Sequence, residues 1–287
     1  DKYETIMHKL NTLRDNALDA LKAHFGGDVL LVNTTSFERQ DMALWQGGTL
    51  ADGQGLFMPD GTEVVAQQVD EGVLMSLFYT PLAPLSITPL TLKTIDPDAQ
   101  RHDDKDMRRP IHIDAYAMDN KWMAISLDTN GDLISLLDYI ADRGVIFANQ
   151  FQIFEDRPLR FDAWNIDPDY EDKMWLAEPA DTIEIVEQND MRVTLKVVRR
   201  IMSSTITQHI SMFRESYRID FHTHVDWQER NMLLKVAFPL AFKAQNIITG
   251  TQWGEIRIPH HRNTSWEVAS YERPFQQYIR VSEGQQG

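Results

Sequence analysis

The sequence predicts a mainly β protein entered through one helix. Three observations carry this: apolar residues recur at three and four through positions 1–25, the period drops to two after Gly26-Gly27, and short alternating runs separated by brief turns fill the chain from Ile111 onward.

The helix comes first. Tyr3, Ile6, Met7, Leu10, Leu13, Ala17, Leu18 and Leu21 share one face, and Gly26-Gly27 supplies the C-terminal stop. Such a stripe needs a packing partner, yet no second helix of similar quality follows and no methionine precedes it. The expectation is a piece of a longer protein whose first helix, 1–27, packs against helices upstream.

A small sheet domain is expected over 28–95. "VLLVNTT", "TEVVAQQV", "LMSLFYTPL" and "SITPLTLK" are β-type runs divided by "QGG", "DGQG" and "PDG" turn signals. The stretch 96–110, "DPDAQRHDDKDMRRP", is almost without apolar residues and reads as a linker. Its His102, Asp103, Asp104 and Asp106 are a solvated charge run rather than a metal cluster. From 111 to 287 a large antiparallel sheet domain is expected, with "TIEIVEQNDMRVTLKVVRR", "STITQHISMF", "YRIDFHTHVDW" and "MLLKVAFPL" as consecutive strands of one meander. "DTNGD" places its glycine fourth, not sixth as a calcium loop requires, and reads as a hairpin turn at Asn130-Gly131.

Composition narrows function. A chain of 287 residues exceeds the ~100 to 200 residues of one domain, so two domains are the starting expectation. A net charge of -15 opposes nucleic acid and anionic membrane surfaces, which are polyanions. No apolar run approaches the ~18 residues of a membrane span. The absence of cysteine removes disulfides and thiolate metal sites and fits a cytoplasmic location.

Around residues 214–216 the hairpin register follows from the side chains. Pairing Met212 with Ile219, Ile210 with Phe221 and Ile206 with Val225 collects the apolar residues on one face, and a slip by one mixes them with polar ones. That register sets His209 opposite His222, beside His224. Three imidazoles on a two-stranded ribbon have the makings of a zinc site. The competing reading is the polar face of a half-buried strand, and it is preferred here; the three histidines are kept as a surface option.

Longer stretches are not generic. "NQFQIFEDRPLRFDAWNIDPDYEDK" (149–173), "VDWQERNMLLKVAFPL" (225–240), "WGEIRIPHHRNTSWEVASYE" (253–272) and "LVNTTSFERQD" (31–41) together resemble, in order and over nearly the whole chain, the post-catalytic region of glycoside hydrolase family 38 α-mannosidases of the bacterial and cytosolic type. The resemblance implies that 1–27 is the last helix of a helical bundle, 28–95 a small β-sandwich domain, and 111–287 a large β-supersandwich cut short at "FQQYIRVSEGQQG". An interrupted sheet exposes an edge or borrows a strand, so a homo-oligomer is a further expectation.

The implied activity is a retaining hydrolysis of terminal α-linked mannose, with an aspartate nucleophile, an acid/base carboxylate ~5 Å away and a zinc ion on the sugar hydroxyls. In the resemblance all of these lie upstream of Asp1 on a catalytic barrel, with a zinc-ligating histidine just before it. No catalytic residue and no metal ligand is therefore assigned to this chain, which is expected to be inactive alone and to cover the barrel. A mannosylglycerate-type hydrolase of the same family, or a stand-alone lectin-like β-sandwich, are the alternatives. Family β-domains lend loops to the rim of the sugar site. The candidates here are Asp162, Trp164 and Asp167 on one loop and His260, Arg262 and Asn263 on another, with a mannose-containing oligosaccharide as the partner.

Overall fold

The computed structural model describes residues 2–95, 110–144, 149–240, 242 and 244–282. The expected linker and its charge run lie outside the described residues, except for Pro110. The chain divides into two compact units, 1–109 and 110–287.

The first unit opens with α1 (Lys2–Phe25), which ends where Gly26 takes a φ of 72° and donates its amide to the Lys22 carbonyl. The apolar stripe is there, but no residue of α1 is buried: Leu10 is 54% and Leu13 66% exposed. Six strands follow: β1 (Val29–Asn33), β2 (Met42–Gln46), β3 (Gln54–Phe57), β4 (Glu63–Val69), β5 (Gly72–Ser76) and β6 (Ser86–Thr94). They pair antiparallel in the order β1-β6-β3-β4-β5-β2 and curl over one core built on Leu56, Val73, Met75 and Leu90. The "LVNTT" motif acquires a physical role at the end of β1. Buried Asn33 donates to the carbonyls of Phe37 and Ala83 and accepts from the Thr35 amide and hydroxyl, pinning the loop to β1.

The second unit begins with β7 (His112–Ile113), β8 (Ala117–Asp119), β9 (Met123–Leu127), β10 (Leu133–Asp138) and β11 (Arg143–Gly144), a five-stranded sheet in the order β11-β10-β9-β8-β7. After β12 (Gln150–Glu155) and β13 (Met174–Leu176) comes the meander β14 (Ala180–Gln188), β15 (Arg192–Ile201), β16 (Ser204–Phe213) and β17 (Ile219–Asp226). The expected β16–β17 register is observed, with Met212 opposite Ile219, Ile210 opposite Phe221 and His209 opposite His222. The last expected strand of the meander departs from it. β18 (Met232–Ala237) pairs with β12, not β17, giving a sheet in the order β13-β12-β18. A turn clamp accounts for the departure: the Glu229 carboxylate accepts from the Ser203 amide and Ser204 hydroxyl, and the Gln228 amide donates to Ser204, which turns the chain away after Asp226. β19 (Asn246–Thr251), β20 (Gly254–Pro259), α2 (Ser265–Val268) and β21 (Ile279–Val281) complete the unit, the strands in the order β20-β19-β21.

Alternation along the meander builds two cores on one face. Val193, Leu195, Val197, Ile210 and Met212 pack against Met118, Ile125, Leu127 and Leu133 of the five-stranded sheet. Ile201, Ile206, Val225 and Trp227 pack against Phe151 and Ile153 of β12. Each such fully buried aliphatic side chain is worth ~1.5 to 3 kcal/mol. Between the two cores runs a polar seam. Gln208 exchanges hydrogen bonds with Asn149 and donates to Thr223. Arg199, only 2% exposed, occupies a core position of β15 between Val197 and Ile201. Its Nη1 donates to Asp132 at 2.7 Å and its Nη2 to the Gly131 carbonyl at 2.5 Å, with the guanidinium 5.2 Å from the Phe151 ring centre.

The β9–β10 turn that meets Arg199 is the hairpin read from "DTNGD". Asp128 Oδ1 accepts from the amides of Asn130 and Asp132, and Gly131 takes a φ of 81°. A Cβ at Gly131 would sit 2.6 Å from Arg199 Nη2 and 2.7 Å from Val197 Cγ1, so glycine is needed for space as well as for backbone angle.

Candidate functional site

The two loops nominated from sequence both lie in the second unit. The first joins β12 to β13. Phe161 adopts a φ of 64°, and its carbonyl accepts from the amides of Trp164 and Asn165, so the chain doubles back within five residues. That turn stacks the Phe161 and Trp164 rings at 4.9 Å and 20° while leaving Trp164 74% exposed. Asp167 is a brace: its two carboxylate oxygens accept from the Leu159 amide and the Asn165 side chain, both at 2.8 Å. Asp162 is exposed.

The second loop follows β20. Glu267 and Thr264 form a reciprocal capping box that starts α2, and Glu267 also accepts from the Asn263 amide at 2.7 Å and lies 3.2 Å from His261 Nδ1. Burial pushes the Glu267 carboxyl up, but the amides of Thr264 and Asn263 and the His261 ring outweigh it and hold it below the usual range. Trp266 projects from this turn, 84% exposed. His260 and Asn263 are exposed, and Arg262 lies 3.9 Å from Glu171 on the first loop.

Side chains that sequence did not single out fasten the loops together. Tyr170, buried in the 3-10 turn Pro168–Asp172, places its hydroxyl 2.7 Å from Glu272 and 3.1 Å from Glu171. Lys235 of β18 donates to the same hydroxyl at 2.5 Å, pairs with Glu272 and lies 4.2 Å from the Tyr170 ring centre. Tyr271 donates to the Ile166 carbonyl. Burial first, then Glu272 and Glu171, push the Tyr170 phenol well above its ordinary value, so it stays a neutral donor. No local signal marks these residues, because the Tyr170–Glu272 contact spans 102 positions of sequence.

An acidic crevice of about 180 Å³ lies beside the first loop, among Glu155, Asp156, Asp167, Asp169 and Asp172. It is smaller than the ~300 Å³ at which small-molecule pockets begin. Glu155 is bonded to Lys173, chiefly for that reason held below the usual carboxylate range, while burial and then Asp167 and Asp162 push Asp156 up. The histidines take the arrangement expected from the register: His209 and His222 face each other with ring centres 6.4 Å apart, and His224, opposite Thr207, lies two residues along the same strand. Among the described residues no group of three or more histidine, aspartate or glutamate side chains is arranged to hold a metal ion.

Comparison with known proteins settles the family. Residues 118–287, more than half of the chain, match the glycosyl hydrolases family 38 C-terminal domain. The chain belongs to glycosyl hydrolase family 38. Human alpha-mannosidase 2C1 is 27% identical over 294 residues, covering 98% of this family 38 chain but 26% of the human protein. Alpha-mannosidase G of Dictyostelium discoideum is 31% identical over 180 residues, covering 58% of this chain and 16% of its own length. The family 38 chain thus spans about a quarter or less of the curated relatives it matches. The crystal structure of an alpha-mannosidase from Enterococcus faecalis V583 superposes with a TM-score of 0.65 at 13% identity, covering 88% of this chain and 36% of that one, a likeness of fold.

Proposed function

We propose that this chain is the C-terminal β portion of a retaining α-mannosidase, acting on terminal α-linked mannose in the cytoplasm, and that its two fastened loops border a sugar site carried by an upstream catalytic barrel. The observation that carries the reading is the match to alpha-mannosidases over 98% of this chain but 26% of the relative. The zinc implied by the family resemblance does not fit the described residues, which offer no three-ligand cluster, and no step on this chain is routed through it.

What the chain contributes is binding and exclusion of water. The exposed Phe161–Trp164 stack offers a flat apolar face of the kind that packs on a pyranose ring, and Asp162 offers a carboxylate to a sugar hydroxyl. Asp167, with both oxygens engaged inside the loop, holds that face in shape.

The test has two arms. The 287-residue chain should leave an aryl α-mannoside unhydrolysed, whereas a polypeptide that includes the upstream portion should cleave it with retention. In the latter, Trp164→Ala should lower kcat/KM about tenfold, or ~1.4 kcal/mol. Hydrolysis by the short chain would overturn the division of labour, and unchanged kinetics in Trp164→Ala would remove the loop from the sugar site. Tight mannoside binding by the short chain alone would favour a lectin-like module.

A further inference from the structure

Lys235 sits on a strand whose pairing with β12 is regular from Gln150 to Glu155, so its backbone belongs to the scaffold rather than to either loop. From that fixed point its ammonium reaches the Tyr170 hydroxyl of the first loop and the Glu272 carboxylate of the second. The phenol has one proton and two lone pairs, so it donates to Glu272 while accepting from Lys235, and all three groups satisfy one another. The Tyr170 ring is held from beneath by an edge contact with Phe154 at 5.3 Å. Tyr271 adds a second tie to Ile166, four residues before Tyr170. Both loops carry their exposed tryptophan a few residues from these ties: Trp164 precedes Ile166 by two, and Trp266 precedes Tyr271 by five.

We propose that Lys235, Tyr170, Tyr271 and Glu272 are positioning residues that lock the Trp164 loop and the Trp266 loop to β18, so that neither aromatic face moves independently of the other. The consequence for mannoside turnover rests on the function proposed above; the mechanical coupling does not.

Hydrogen exchange on the 287-residue chain tests the coupling directly. The amides of Trp164 and Asn165, both bonded to the Phe161 carbonyl, report the first loop. Tyr170→Phe with Tyr271→Phe keeps both rings and removes both hydroxyls. This pair should speed exchange at residues 164 and 165 and at residues 267–270 by at least tenfold, while Leu195 and Ile210 in the meander stay protected and certify the fold. A substitution on the second loop alone, Glu272→Ala, should also speed exchange at 164 and 165. Lys235→Met should do the same, and Lys235→Arg should restore most of the protection. Unchanged exchange at 164 and 165 in the double variant or in Glu272→Ala overturns the lock.

Kinetics in the longer polypeptide then separate the two ideas. With the lock broken, Trp164→Ala should cost little beyond the loss already incurred, because an unpositioned ring contributes little. If Trp164→Ala has no effect on an intact enzyme while the exchange coupling holds, the lock stands and the sugar-facing reading falls.

Discussion

Individual side chains in this protein divide into those whose neighbours are close in sequence and those whose neighbours are not. His209 is of the first kind: strand alternation alone puts it opposite His222, and β15 adds Lys196 on its other side, with Glu184 beyond. Burial first, then His222 and Lys196, hold the His209 imidazolium below its ordinary 6.5. A histidine with a depressed folded-state value binds fewer protons folded than unfolded, so its contribution is complete above pH 6.5 and is lost as pH falls toward the folded value. His224, two residues along the same face, and Asp220, opposite Ser211, share that surface. Urea denaturation at pH 5.5 and 7.5 should therefore show lower stability at the acid end, with a shallower pH dependence in His209→Gln. Arg199 is of the second kind, since its partner Asp132 lies 67 positions upstream and nothing in "KVVRRI" announces a buried cation. Asp132→Ala strands that charge between two apolar cores and should cost about 3 kcal/mol in the same denaturation assay. Tyr170, Lys235 and Glu272 escaped sequence reading for the same reason, whereas Trp164 and Asp167 were legible as residue types but not as a stacked ring and a brace.

Elements were legible where one periodicity ran unbroken. The helix, the hairpin at Gly131 and the register of β16 on β17 all followed from local pattern, because one buried face fixes which residues can point inward. β18 was misplaced, since an apolar run carries no mark of which edge it will join; the Glu229 clamp that redirects it depends on groups 25 and 26 residues away. The contrast between a packed and an unpacked element gives a stability prediction. Leu195 of β15 is 0% exposed and Leu10 of α1 is 54% exposed. Leu195→Ala should lose ~2 to 5 kcal/mol, whereas Leu10→Ala should stay within ~0.5 kcal/mol in this chain, measured by chemical denaturation with a tryptophan signal.

At the scale of the whole molecule, the unburied stripe of α1 and the quarter-length match to the relatives fit one proposal, that of a longer parent chain. Amides 6–20 should exchange rapidly in the 287-residue chain and at least a hundredfold more slowly in a polypeptide that restores the upstream portion. Equal rates in the two would leave the stripe without a partner there. A TM-score of 0.65 at 13% identity over 88% of this chain also says that most positions tolerate replacement while the fold persists. The tight turn at Gly131 sets a limit on that freedom. A saturation library scored for soluble expression should return almost nothing but glycine at 131, and should stay as narrow once 199 is shortened to an apolar side chain, because the φ of 81° and Val197 Cγ1 at 2.7 Å are untouched by that change. Drift at 199 would then leave the alphabet at 131 unchanged.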